Sequence, residues 1–192
     1  MATRATLLRR GLRLEYTTLA WNVVGVVVLA WAAWAARSVA LLGFGLDSLI
    51  EIGASTVVIW ELTGTDESRR SRALRLIGIA FAALAAYLAV QSTVVLVAGH
   101  HAERSPVGIG WTAVTAAVMF ALAAGKARTG AALGNPVLQT EARVTLVDGV
   151  LAAAVLIGLA VNALFGWWWA DPAAGYVLVA YAASEARATF RA

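Results

Sequence analysis

Three acidic residues lie inside otherwise apolar segments of the sequence: Asp47, Glu51 and Asp148. The first two are four residues apart, so in a helix both carboxylates lie on one face, one turn above the other. An ionisable group at the centre of a bilayer costs about 2.5–3.5 kcal/mol. A divalent cation held by carboxylate oxygens would offset that cost, and the three residues are therefore predicted to be metal ligands. The alternative is that one or two of them are protonated packing residues.

Two further polar residues in apolar segments are weaker candidates. Asn22 either supplies a fourth ligand or makes an interhelical hydrogen bond. Glu141 precedes Asp148 by seven residues, which places it on the same helical face about 10 Å away. It either receives ions at the inner mouth of a pathway or pairs with Arg143 or another interfacial base.

A short polar loop contains the last candidates, His100 and His101, next to Glu103. These residues either bind a metal at an exit or form an ordinary polar loop. The chain has no cysteine, which excludes thiolate ligands and disulfides. It also lacks a Gly-rich phosphate loop, a Ser/His/Asp set and an HExxH motif, so we expect no enzymatic activity.

The composition indicates which elements must position these residues. Of 192 residues, 61% are hydrophobic and 14% charged, against about 45–50% and about 25% in soluble domains. A membrane span needs about 20 apolar residues, which this length supplies six times with short loops. We therefore predict one all-α domain, residues 1–192, that forms a bundle of six transmembrane helices. The predicted spans are 17–36, 39–62, 74–98, 107–126, 140–164 and 172–188.

The basic residues set the predicted orientation. If the N-terminus is cytoplasmic, thirteen of the 15 bases, Lys126 among them, fall on that face, and only Arg37 and Arg104 fall on the other. This asymmetry follows the positive-inside rule and places both termini in the cytoplasm. The first apolar stretch is too long for a signal peptide, so we expect a retained first helix. The basic loops lack interleaved aromatic residues, so no nucleic-acid partner is expected.

Two segments carry a resemblance to a known family. SVALLGFGLDSLIEIGAS resembles the second transmembrane helix of the cation diffusion facilitators, in which two acidic residues four apart follow a Ser-x-Ala-Leu-Leu lead. VTLVDGVLAAAVLIGLAVNALFGWWWADPAAG resembles their fifth helix and its turn into the sixth. The resemblance implies a homodimer that exports divalent cations from the cytoplasm in exchange for protons, by alternating access. It also implies that Asp47, Glu51 and Asp148 occupy three of the four positions of the transport site.

The sequence departs from the family pattern at that site. The fifth helix of the family carries His or Asp four residues before its aspartate, where this chain has Val144, and Glu51 stands where Asp is usual. An all-oxygen site favours harder ions such as manganese, magnesium or calcium. Carboxylates also bind zinc, so zinc, iron and cobalt stay open as substrates. The cation is expected as a transported substrate, with no permanently bound cofactor.

A second departure concerns the end of the sequence. Few residues follow the sixth predicted span, so we expect the cytoplasmic metal-binding domain of the family to be absent and any homodimer to be held by membrane helices. The expected location is the cell membrane, as a multi-pass protein of a bacterial inner membrane in contact with lipid. The alternative function is a non-transporting scaffold or partner subunit that keeps the family fold, for which Val144 and the expected absence of the terminal domain are the arguments.

Overall fold

The computed structural model describes residues 3–36, 39–64, 67–99 and 105–191. Within these ranges the regular elements are six α-helices, which agrees with the predicted all-α class. They are α1 (Arg4–Ala36), α2 (Val39–Leu62), α3 (Glu67–Ala98), α4 (Pro106–Leu133), α5 (Pro136–Phe165) and α6 (Ala170–Arg191).

The helix bounds agree with the predicted span for α2 and extend beyond it in the other five helices, by seven residues or more in α1, α3 and α4. Helix α1 begins at Arg4, well before residue 17, because its first turns are helical but too polar to be identified by hydropathy. Helix α4 continues to Leu133, whereas the predicted span ends at Lys126. The charge of Lys126 does not end the helix, which extends seven residues beyond it. The backbone ends the helix instead, since Gly134 adopts a left-handed conformation with φ of 62°.

The junction between α4 and α5 is tied to the end of α2. Asn135 is the N-cap of α5, and its side-chain oxygen accepts a hydrogen bond from the Leu138 N–H at 3.0 Å. Its Nδ2 donates to Glu61 at 3.1 Å. Pro136 follows at the first helical position, where the missing N–H costs nothing. One short turn therefore fixes the relative positions of three helices.

The six helices form a closed ring, with contacts across its centre to α5. Around the ring α1 packs on α2, α2 on α3, α3 on α6, α6 on α5, α5 on α4, and α4 on α1. Across the ring α2 packs on α5, and α3 also reaches α5. The two helices that carry the predicted ligands are therefore neighbours at the centre of the bundle.

The outer surface of the bundle is apolar. Among the residues that the structure describes, four helical segments are long and apolar enough to cross a membrane, namely Arg4–Ala36, Ser71–Ala98, Pro106–Leu133 and Pro136–Phe165. Large side chains such as Val27, Val97 and Leu164 point outwards and are 69%, 82% and 76% exposed. Contact with lipid tails costs such apolar surfaces no free energy, whereas contact with water does. The fold is therefore that of a multi-pass membrane protein.

The crossing of α4 and α5 depends on Gly130. A Cβ atom at this position would lie 3.0 Å from the backbone nitrogen of Gln139 and 2.9 Å from its Cγ. We expect Gly130→Ala to lower the free energy of unfolding by about 1–3 kcal/mol, because the two backbones must separate. Thermal unfolding in detergent measures the effect. Gly110→Ala on the same helix is the control, since its Cβ would meet no atom within 4 Å; equal losses in both variants would contradict the close approach.

Candidate functional site

Asp47 of α2 and Asp148 of α5 face each other at the centre of the bundle. Both side chains are buried, with 2% exposure each, and their carboxylates are close enough to interact electrostatically. Asp47 Oδ2 and both oxygens of Asp148 nevertheless have no hydrogen-bond partner. Two carboxylates are acceptors only, so neither satisfies the other without a proton or a cation between them. The pair could hold either a proton or a cation, because buried acceptors seldom lack a partner.

The environment of the pair is close-packed. Gly149 follows Asp148, and a Cβ atom there would lie 3.1 Å from the Phe120 ring and 3.2 Å from Met119 Cβ. Helix α4 therefore packs tightly behind the aspartate. Next to Asp47, Ser48 is buried and donates its hydroxyl to the Phe44 carbonyl at 3.3 Å, so it supplies no hydrogen bond to the aspartates.

Glu51 is also buried in α2, but its carboxylate has another partner. The Thr145 hydroxyl donates a hydrogen bond to Glu51 Oε1 at 2.7 Å. The structure thus brings Asp47 and Asp148 together, whereas the third predicted ligand, Glu51, is hydrogen-bonded to α5 one turn away from Asp148. Within the described ranges, no three His, Cys, Asp or Glu side chains are grouped closely enough to hold a metal ion. The three-ligand site accordingly stays a prediction.

A buried lysine lies beside this site. Lys126 of α4 is fully buried, and its Nζ lies 3.0 Å from Glu15 Oε2 and 3.0 Å from Glu141 Oε1. The same ammonium donates to the Thr145 hydroxyl at 2.9 Å. We call Glu15, Lys126, Glu141 and Thr145 the lysine cluster. Because Thr145 accepts from Lys126 and donates to Glu51, one hydroxyl connects the cluster to a predicted ligand.

The lysine cluster joins three helices and is hydrogen-bonded to a fourth. Glu15 comes from α1, Lys126 from α4, and Glu141 and Thr145 from α5, while Ser55 of α2 donates to Glu141 Oε1 at 3.4 Å. Its carboxylates are only partly satisfied, since both oxygens of Glu15 and Glu141 Oε2 have no hydrogen-bond partner. Lys126 and Glu15 therefore interact as an ion pair without hydrogen-bond geometry. The cluster has fewer positive charges than carboxylates.

The weaker candidates have separate outcomes. Asn22 is buried, and its Nδ2 donates to the Thr18 carbonyl at 3.1 Å within α1. Glu141 pairs with a base, as one of the two interpretations had it, but that base is the buried Lys126 and not an interfacial residue. Val144 is buried and apolar, one turn before Asp148. His100 and His101 lie outside the described residues.

Two residues of the lysine cluster were not among the candidates from the sequence. Lys126 was counted among the cytoplasmic bases, although it is the single lysine among 15 basic residues that are otherwise all arginine. That difference in residue type was the available signal, because a buried ammonium is a compact charge that three acceptors can surround. Glu15 lies among the arginines of the N-terminal segment, where an acid looks like an ordinary surface residue. No sequence feature distinguishes it.

One family model matches the chain, and its description is the transmembrane domain of cation efflux proteins. The match covers residues 74–192, which is more than half of the chain. This region contains Lys126, Glu141 and Asp148 and begins after Asp47 and Glu51. No curated protein matches the chain.

Proposed function

Because the chain belongs to the cation efflux family, we propose that it carries divalent metal ions out of the cytoplasm in exchange for protons. The predicted resemblance to the cation diffusion facilitators is confirmed by this match. The observation that carries the proposal is the buried pair Asp47 and Asp148, three of whose four oxygens lack a hydrogen bond. An acceptor-only pair at the centre of a membrane bundle is suited to binding a cation or a proton and to little else.

The proposed cycle uses competition between the divalent cation and protons for the same carboxylates. A divalent ion binds Asp47 and Asp148 when they are open to the cytoplasm, and Glu51 leaves Thr145 to become the third ligand. After the helices rock, protons from the other side bind the same carboxylates and release the ion. Protonation also neutralises the empty site, which lowers the cost of returning it through the apolar bundle.

The proposed topology has six spans with both termini in the cytoplasm. Without Lys126, twelve arginines remain on the cytoplasmic side against two on the other, so the predicted orientation keeps its support. The family resemblance implies a homodimer, which would be held by membrane helices. We place this homodimer in a bacterial inner membrane.

The metal is proposed from the ligand types. Asp47, Glu51 and Asp148 supply oxygen only, and the apolar Val144 supplies nothing. An oxygen set favours manganese over the softer ions, although carboxylates also bind zinc, iron and cobalt. Manganese and zinc are therefore the two ions to compare first.

Flux through the purified protein tests the proposal. Full-length protein in liposomes, with a metal-sensitive dye on one side and a pH-sensitive dye on the other, is exposed to Mn²⁺, Zn²⁺, Fe²⁺ and Co²⁺ in turn. We expect metal movement accompanied by proton movement in the opposite direction, accelerated when a pH gradient is imposed. Protein-free liposomes are the control. A folded protein that moves none of the four ions would contradict the proposal and favour the non-transporting scaffold.

Restoring the missing ligand gives a separate prediction. Val144 stands on the same face of α5 as Asp148, one turn earlier. We expect Val144→His to raise the affinity for Zn²⁺ at least about tenfold and to raise that for Mn²⁺ less, because imidazole suits zinc. Calorimetric titration in detergent measures both ions. Val144→Leu is the matched control, and an unchanged zinc affinity in Val144→His would contradict a site at this position.

A further inference from the structure

The lysine cluster has a cation in place before any metal arrives. The Lys126 ammonium is surrounded by oxygens of Glu15, Glu141 and Thr145 at 3.0, 3.0 and 2.9 Å. Such a shell of three oxygens is what a small cation would require from the protein. Lys126 is part of α4 and cannot dissociate, so its ammonium always occupies the position among these oxygens.

The position of Glu51 depends on this occupant. Glu51 is buried in α2, and its hydrogen bond comes from Thr145, whose own acceptor position is taken by Lys126. A hydroxyl has one hydrogen to donate, and the ammonium at its lone pair directs that hydrogen towards Glu51. The ammonium also attracts the Glu51 carboxylate through space, in a medium where charges are poorly screened.

We propose that Lys126 is a tethered cation that competes with the transported divalent ion for Glu51 and thereby sets the affinity of the transport site. In the metal-free protein, Lys126 and Thr145 hold Glu51 away from Asp47 and Asp148. An arriving ion must draw Glu51 out of this interaction, which lowers its net binding affinity and eases its release. The inference rests on the proposed function and deepens it, since it identifies a positioning residue that acts on the transport site through Thr145 and Glu141.

Two substitutions with opposite expected effects test the inference. Lys126→Gln removes the positive charge, so Glu51 is released and the affinity for Mn²⁺ and Zn²⁺ rises about tenfold or more. Glu141→Gln removes the strongest partner of Lys126, so the ammonium turns to Glu51 and the affinity falls by a similar factor. A merely structural role would change both variants in the same direction, because either one damages the same ion pair.

The measurement is calorimetric titration of the full chain in detergent with Mn²⁺ or Zn²⁺ alone. Arg128→Gln is the matched control, since it removes the same charge from an exposed position two residues along α4. We expect its dissociation constant to equal that of the unmodified chain. If Lys126→Gln does not fold, two other variants still decide the question: Glu141→Gln, and the double variant Lys126→Gln with Glu141→Gln. The double variant should bind the metal ion more tightly than Glu141→Gln alone.

The outcomes separate this inference from the function on which it rests. If the unmodified chain binds metal but Lys126→Gln binds it equally or more weakly, the tethered cation is overturned and the transport proposal stands. An increase in affinity in Glu141→Gln would overturn it as well. If the unmodified chain binds neither Mn²⁺ nor Zn²⁺, the transport site and the inference are overturned together.

Discussion

Replacing Asp148 by Asn is expected to abolish metal transport without unfolding the protein. The carboxylate is buried opposite Asp47 and has no hydrogen bond to lose, so the amide keeps the shape and removes a charge that has no partner. Loss of a residue that contacts a metal ligand typically lowers metal affinity or activity about 10–100-fold, and loss of a ligand itself should lower them more. The expected metal flux in liposomes is therefore at least about 100-fold below that of the unmodified chain.

The thermal stability of Asp148→Asn distinguishes this effect from damage to the fold. Two buried carboxylates that face each other repel when ionised, so the melting temperature should be equal or higher. Glu61→Gln is the control, because it makes the same chemical change at the end of α2, where Asn135 donates to the side chain. Flux that persists in Asp148→Asn, or that disappears equally in Glu61→Gln, would contradict the assignment of the site.

Lys126→Met is expected to be the most destabilising single substitution in the bundle. It leaves Glu15 and Glu141 buried without their common cation, and breaking a buried ion pair by removing one partner costs about 3–5 kcal/mol. The eight tryptophans make fluorescence a convenient probe of thermal unfolding in detergent. Buried charges are weakly screened by salt, so this loss of stability should decrease only slightly above 300 mM salt, which is roughly twice physiological ionic strength.

Compensating substitutions test whether the charge is the cause. The triple variant Lys126→Met with Glu15→Gln and Glu141→Gln removes both unpaired carboxylates and should recover most of the lost stability, since an uncharged core of similar volume is often as stable as an ion pair. Arg128→Met, at an exposed position on the same helix, should change the free energy of unfolding by less than about 0.5 kcal/mol. A melting temperature of Lys126→Met equal to that of the unmodified chain would show that the lysine is not held among carboxylates.

Local patterns in the sequence were sufficient for the helices and for the acidic pair. Apolar runs predicted α2 at the bounds that the structure gives it, because helix formation in an apolar solvent depends on neighbouring residues alone. The facing of Asp47 and Asp148 was expected from the cost of burying isolated acids, and α2 does pack on α5. The polar first turns of α1 and the last turns of α4 were missed, since hydropathy marks membrane depth and not helical backbone.

By itself, the sequence determined that the protein lies in a lipid bilayer and which residues are too polar for that environment. An apolar composition requires helices with satisfied backbones, and a carboxylate within such a helix is conspicuous whatever surrounds it. The tertiary structure alone decided which charges meet. Glu15, Lys126, Glu141 and Thr145 come from three helices, and Glu51 receives its hydrogen bond from Thr145 of this cluster. Such pairing depends on how each helix is rotated about its axis, which is set by long-range packing and is not encoded in local spacing.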